Sequence, residues 1–188
     1  MHDEQMDFCR KVKAKFPEQF TNKKVLDVGS LDVNGNNRYL FTNSEYTGLD
    51  VGAGKNVDIV TPGHLYDVPE GTYDFVISTE CFEHDMYFRE TIKNIIRMLA
   101  PGGMFLFTCA APGRDEHGTQ RTRPQDSPLT SVISEEWSNY YHNVSEQDLR
   151  NVVDLKSTFS KYDVDEHHEI KGNPFRSIND LYFWGIKQ

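Results

Sequence analysis

The chain has little of what would send it to several common destinations. No apolar run approaches the roughly 20 residues that a membrane-spanning helix needs. The opening segment, MHDEQMDFCRKVKAKF, is too polar to hold a secretory apolar region. Together these absences predict a cytoplasmic protein. Cysteine is scarce: Cys9, Cys81 and Cys109 are scattered and form no Cys-x-x-Cys pair, which excludes zinc-finger spacing and a disulfide framework. Basic charge is also short. The 20 Lys and Arg against 29 Asp and Glu leave a formal net charge of −9. That supplies little of the clustered cation that bulk nucleic acid requires. The strip Arg114 to Arg123 is a local exception, read as part of a mobile substrate-side loop. There are no internal repeats and no linker pointing to a second domain.

What is present fits one globular domain over residues 1–188, with 37% hydrophobic and 26% charged residues. Residues 1–22 hold an amphipathic helix from about Asp3 to Phe20, with Phe8, Val12 and Phe16 on one face and Pro17 bending or ending it. Residues 23–109 alternate strand and helix. Strands are expected at Lys24–Gly29, Glu45–Asp50, Val57–Val60, Tyr73–Ser78 and Met104–Thr108. A short helix is expected to open at Asn34-Gly35-Asn36, and a longer one to run from about Met86 to Leu99 before Pro101-Gly102-Gly103 stops it. This order predicts an α/β fold, a doubly wound and mostly parallel sheet with helices on both faces. Regularity fades over 110–143, where Gly113, Gly118, Pro124 and Pro128 interrupt a polar stretch, as in a functional loop. Over 144–188 a capping box at Ser145–Asp148 restarts a helix. Two strands, Tyr162–Ile170 and Leu181–Ile186, then close the sheet as an antiparallel edge.

In doubly wound sheets ligands bind at the carboxyl ends of the strands. Asp27 and Gly29 close the first strand here, and Asp50 closes the second. Glycine lets the backbone approach a ligand closely. A carboxylate at the second strand's end can accept both hydroxyl hydrogens of a ribose.

The segments Val25-Leu26-Asp27-Val28-Gly29-Ser30, Tyr46-Thr47-Gly48-Leu49-Asp50, Tyr73-Asp74-Phe75-Val76-Ile77-Ser78 and Leu99-Ala100-Pro101-Gly102-Gly103 resemble, in order and spacing, the motifs of class I S-adenosylmethionine-dependent methyltransferases. The resemblance covers about Lys24 to Thr108. It implies a Rossmann-like methyltransferase fold, S-adenosylmethionine as methyl donor, and donor-side roles for matching positions. Asp27, Gly29 and Ser30 would lie against the methionine part, and Asp50 would hold the ribose hydroxyls. Val51 and the loop carrying Leu65 would border the adenine, with Ser78, Thr79 and Glu80 on the donor floor. The sequence departs from the family in its glycine loop, where Gly29 stands alone at the strand end and the next glycine is Gly35.

On the acceptor side, Glu80-Cys81-Phe82-Glu83-His84 follows the fourth strand, beside the expected methyl group. His84 is a candidate general base, with Glu80 and His142 as further candidate catalytic residues. Trp137, Tyr140 and Tyr141 are a candidate aromatic wall for a sugar or flat ring. His117 is expected to be solvated. The spacing of Glu80, Glu83, His84 and Asp85 matches no ligand pattern, which gives an expectation of no metal. The function expected is methyl transfer to a small-molecule or glycan acceptor, without bulk nucleic acid or membrane as partner. Two alternatives stay open: a non-catalytic module that keeps the fold, and a nicotinamide-dependent oxidoreductase. The second lacks the Gly-x-Gly-x-x-Gly fingerprint.

Overall fold

A computed structural model describes residues 2–170 and 177–188. Its centre is a seven-stranded sheet in the order β3-β2-β1-β4-β5-β7-β6. The strands are β1 (Lys24–Val28), β2 (Glu45–Asp50), β3 (Ile59–Val60), β4 (Tyr73–Thr79), β5 (Leu99–Ala110), β6 (Phe159–Ile170) and β7 (Ser177–Lys187). The first five run parallel, and β7 pairs antiparallel with both β5 and β6. The expected α/β architecture and antiparallel closing edge are therefore present.

Alternation along the strands builds two cores. Leu26, Val28, Val76, Phe105, Phe107 and Phe183 face one side, and Val25, Phe75, Ile77, Met104, Leu106 and Trp184 face the other. Helix α1 (Asp3–Lys15) covers the second face with Cys9 and Val12. Helix α2 (Phe88–Met98) covers the first with Phe88, Ile92, Ile95 and Met98. A column of rings locks β5 to β7: Phe183 lies 5.2 Å from Phe107 and 5.3 Å from Phe159, centroid to centroid.

Local differences from the sequence expectations have physical causes. Pro17 ends α1 early, and Pro17–Phe20 continues as a 3-10 turn. The short helix expected from Asn34 is only a 3-10 turn at Arg38–Leu40. Asp32 accepts from the Gly35 amide at 2.7 Å and from Asn36 Nδ2 at 3.0 Å, and Gly35 at φ +133° takes the chain out of the helical region. The third strand shortens to two residues, whereas β5 extends back to Leu99. The capping box forms with Asp148 returning the bond, and starts helix α3 (Glu146–Val152). Among the described residues, no helix is long and apolar enough to cross a membrane.

Strand β1 lies between β2 and β4, so connections leave it on both sides. The crevice that results opens at the carboxyl ends of β1, β2 and β4. On its β2 side the chain is packed so tightly that a Cβ added at Gly48 would lie 1.9 Å from the Asn56 carbonyl oxygen. Gly48→Ala is therefore expected to lower unfolding free energy by about 1–3 kcal/mol, the usual cost of overpacking. Urea melts check this. An unchanged midpoint would mean that the Asn56 loop moves aside freely.

Candidate functional site

A cavity of about 340 Å³ occupies this crevice, within the size range of small-molecule sites. The loop after β1 forms one wall. Gly29 has φ +79°, and a Cβ there would meet Cys81 Sγ at 2.5 Å, so only glycine lets this loop approach the turn after β4. Ser30 is tied to the next loop in both directions: its hydroxyl donates to the Asn56 carbonyl at 3.1 Å, and its carbonyl accepts from Asn56 Nδ2 at 2.8 Å.

Asp27 is buried beneath this loop. Its Oδ2 accepts from the Tyr46 hydroxyl at 2.5 Å, while Oδ1 has no hydrogen-bond partner. Burial is the main cause that pushes its carboxyl up to about 7, against the lowering effect of Tyr46. Asp50 is held differently. One oxygen accepts from the Leu31 amide at 2.9 Å and the other from the Val51 amide at 2.7 Å. Burial raises its carboxyl and the two amides oppose that shift. These bonds fix the carboxylate's orientation and leave lone pairs for a ligand's hydroxyls.

The structure brings Asp27, Gly29, Ser30, Asp50, Val51, Thr79, Glu80 and His84 to the cavity wall. It places three other candidates elsewhere. Ser78 is fully buried and donates to the Val28 carbonyl at 2.8 Å. Leu65 is 63% exposed and outside the wall, where its neighbour Gly63 takes part instead. His142 stacks on Phe88 at 5.5 Å and meets Asp148 at 3.3 Å, also away from the wall.

The wall also gathers His2 from the N-terminal segment and Arg114 and His117 from the long loop, with Asp180 of β7 packed behind them. Glu80 sits in the left-handed region at φ +54°. It accepts from Thr108 Oγ1 at 2.9 Å, and His2 Nε2 lies 3.3 Å away. His2 also lies 3.3 Å from Asp180, which pairs with Arg114 at 2.5 Å. Burial would raise the Glu80 carboxyl, yet His2, Arg114 and Thr108 bring it down to about 2. Burial and the Glu80 charge push Asp180 up to about 6, opposed by Arg114 and His2.

Beside this network, Glu83 is fully buried and neither carboxylate oxygen has a hydrogen bond. Burial, then the Glu80 charge, holds its carboxyl well above the usual range. His84 is pushed down to about 3 by burial and by His117. It is therefore neutral throughout the physiological range, and the neutral-pH inflection of an exposed histidine base is not expected of it. His117 is not solvated as the sequence suggested. It packs edge-to-face on His84 at 5.0 Å and lines the cavity.

Sequence reasoning missed His2 as a wall residue and Asp180 behind it, and read Arg114 only as part of a substrate-side strip. No local motif marks them, because only the tertiary fold brings the chain ends to the end of β4. Trp137, expected as part of an aromatic wall, does line the cavity, and its Nε1 donates to the His84 carbonyl at 2.7 Å.

Solved structures similar to this one support the architecture. Phosphoethanolamine N-methyltransferase 2 of Haemonchus contortus, in complex with S-adenosyl-L-methionine, aligns with a TM-score of 0.61 at 14% identity, covering 94% of this chain and 52% of that one. This chain thus spans about half the length of that enzyme. The 1,6-didemethyltoxoflavin-N1-methyltransferase of Burkholderia thailandensis, with 1,6-didemethyltoxoflavin and S-adenosylhomocysteine bound, aligns with a TM-score of 0.59 at 14% identity, covering 96% and 78%. The YcgJ protein of Bacillus subtilis aligns with a TM-score of 0.58 at 12% identity, covering 97% and 99%. At such identities these likenesses show the fold alone. No curated protein matches the chain at a significant level. A profile of the family described as Methyltransferase domain matches residues 2–154. With the match spanning most of the sequence, the chain belongs to the methyltransferase domain family.

Proposed function

We propose that the cavity binds S-adenosylmethionine and that the chain transfers its methyl group to a small-molecule or sugar acceptor. The observation that carries this reading is the pair of carboxylates at the ends of β1 and β2. Asp50 is oriented by the Leu31 and Val51 amides to receive the ribose hydroxyls. Asp27 keeps one buried oxygen without a partner, which suits the ammonium of the donor's methionine part. A buried carboxylate oxygen without a hydrogen bond supports a cationic ligand at this position. In both solved complexes named above the bound molecule is S-adenosylmethionine or its demethylated product, in agreement with this reading.

When bound, the donor supplies an electrophilic methyl group on sulfur. The protein's share is largely positioning. Gly29 and Ser30 shape the backbone against the methionine part, and Val51 borders the adenine. Thr79, held by Asn37 Nδ2 at 3.0 Å, lies on the floor. The segment from Ala111 to Asn143 contributes Arg114, His117, Leu129 and Trp137 to the cavity, which suits an acceptor lid. His84 lines the same space, but the burial that lowers its pKa to about 3 leaves it a weak base.

S-adenosylhomocysteine at 100-fold its dissociation constant should stabilise the fold by about 2.7 kcal/mol. Asp50→Ala should weaken its binding by about 10- to 100-fold, because a charge-assisted contact is lost. Thermal shift and calorimetry check both; unchanged affinity in the variant would move the ribose site elsewhere.

Asp27 gives a prediction of opposite sign for stability and binding. Its folded-state pKa lies above the unfolded value, so its ionisation disfavours the fold and stability falls as pH rises from about 4 to about 7. Asp27→Asn should therefore melt at or above the wild-type temperature at pH 8, with a smaller difference at pH 5. Donor affinity should fall in the same variant. In the wild type, an ammonium beside Asp27 favours its ionised form, so affinity should rise with pH through neutrality and binding near pH 6.5 should release protons. Calorimetry in two buffers of different ionisation enthalpy reads that release. Equal observed enthalpies would separate Asp27 from the donor's charge.

A further inference from the structure

Among the described residues, two clusters place three metal-ligating side chains with their ligand atoms within 4.8 Å of one another. They differ in one respect. In the cluster of His2, Glu80 and Asp180 the acids already have Arg114 and Thr108 as partners. In the cluster of Glu83, His84 and His117 the acid has only His117 Nε2 nearby, at 3.9 Å: both Glu83 oxygens and His84 Nδ1 are buried without a hydrogen bond. A buried carboxylate with both oxygens orphaned is costly unless something completes it.

We propose that Glu83, His84 and His117 form a binding site for a divalent transition-metal cation of the zinc or cobalt type. Two imidazoles and one carboxylate suit such cations better than magnesium or calcium, which prefer all-oxygen sets. His117 is oriented for the task. Its Nδ1 lies 3.1 Å from the Asp115 carbonyl and 3.2 Å from the Tyr141 hydroxyl. A proton on Nδ1, given to that carbonyl, leaves the Nε2 lone pair facing Glu83 Oε1 at 3.9 Å. Metal-bound histidines are commonly held by such a bond from the other ring nitrogen. The turn carrying Glu83 and His84 is pinned from outside: the His142 amide donates to the Glu83 carbonyl at 2.9 Å and Trp137 Nε1 to the His84 carbonyl at 2.7 Å. Ligand bonds of about 2.0–2.2 Å bring ligand atoms to about 3–3.5 Å of one another. Binding thus requires the His117 loop to close inward by a small amount.

The spacing of Glu80, Glu83, His84 and Asp85 gave no expectation of a metal, because the third ligand comes from the loop after β5. His84 and His117 both line the cavity, so a cation held there would keep open positions toward it, as catalytic rather than structural sites do. If the methyl-transfer reading holds, on which this role rests, the open positions would orient an acceptor oxygen and ease the loss of its proton.

The test is titration of the full chain, stripped with chelator, with Co²⁺ followed by visible absorption and with Zn²⁺ by calorimetry. One equivalent should bind, with d–d bands of a nitrogen- and oxygen-ligated ion. Glu83→Gln and His117→Ala should each lower affinity at least ~100-fold, more than loss of an outer partner does. Glu80→Gln should change it less than either, since that carboxylate acts on Glu83 through its charge and is not a ligand. His117 lies in a loop, and the cobalt spectrum of the wild type needs no variant, so misfolding of Glu83→Gln does not remove the test. No saturable binding of either cation by the folded wild type would overturn the proposal. Binding that survives both Glu83→Gln and His117→Ala would do so too. Binding of S-adenosylhomocysteine to the stripped chain is measured separately, and its loss bears on the donor reading alone.

Discussion

Strand β1 is held in parallel between β2 and β4, with Leu26 opposite Thr47 on one side and Val76 on the other. Parallel pairing points the three carboxyl ends the same way, and the middles of β1 and β4 are buried on both faces, between the two cores. Asp27, Asp50 and Glu80 consequently emerge at one edge. The cavity exists because the connections leave β1 on opposite sides there, and the tight contacts at Gly29 and Gly48 bring the loops together over it.

That placement has an electrostatic consequence. Four acids share a small, poorly solvated volume, and the fold treats them differently. Glu80 is kept ionised by His2, Arg114 and Thr108. Asp27 and Asp180 are raised chiefly by burial, and Glu83, without a hydrogen bond, is raised by burial and by the Glu80 charge. Uncompensated buried acids cost stability. Their retention at the ligand-facing edge fits a site whose occupants bring positive charge: a cationic methyl donor at Asp27 and a cation at Glu83.

Much of this was legible in the sequence where local pattern and tertiary role coincide. The apolar runs of β1, β4 and β5, the Pro-Gly-Gly after α2 and the capping box at Ser145 each specify their own element. Asp27, Gly29 and Asp50 follow from strand ends alone. Reading failed where the outcome is set by competition or distance. Gly35 takes φ +133°, a backbone that a helix opening at Asn34 cannot contain. Ser78 ends in the core because alternation turns it to the packed face, where it bonds the Val28 carbonyl. His142 resembled an acceptor-side residue, yet stacking on Phe88 and the bond to Asp148 draw it away. His2, Arg114, His117 and Asp180 carry no motif, and only folding sets them around Glu80 and Glu83.

The central claim is that the two carboxylate ends of β1 and β2 grip one molecule of the methyl donor. A crystal structure of the chain grown with S-adenosylhomocysteine tests it most directly. The account predicts the ribose hydroxyls on the Asp50 carboxylate, the methionine ammonium near Asp27 Oδ1, and the sulfur directed toward Glu80 and His84. A ligand bound away from both aspartates, or with its ribose far from Asp50, would contradict it.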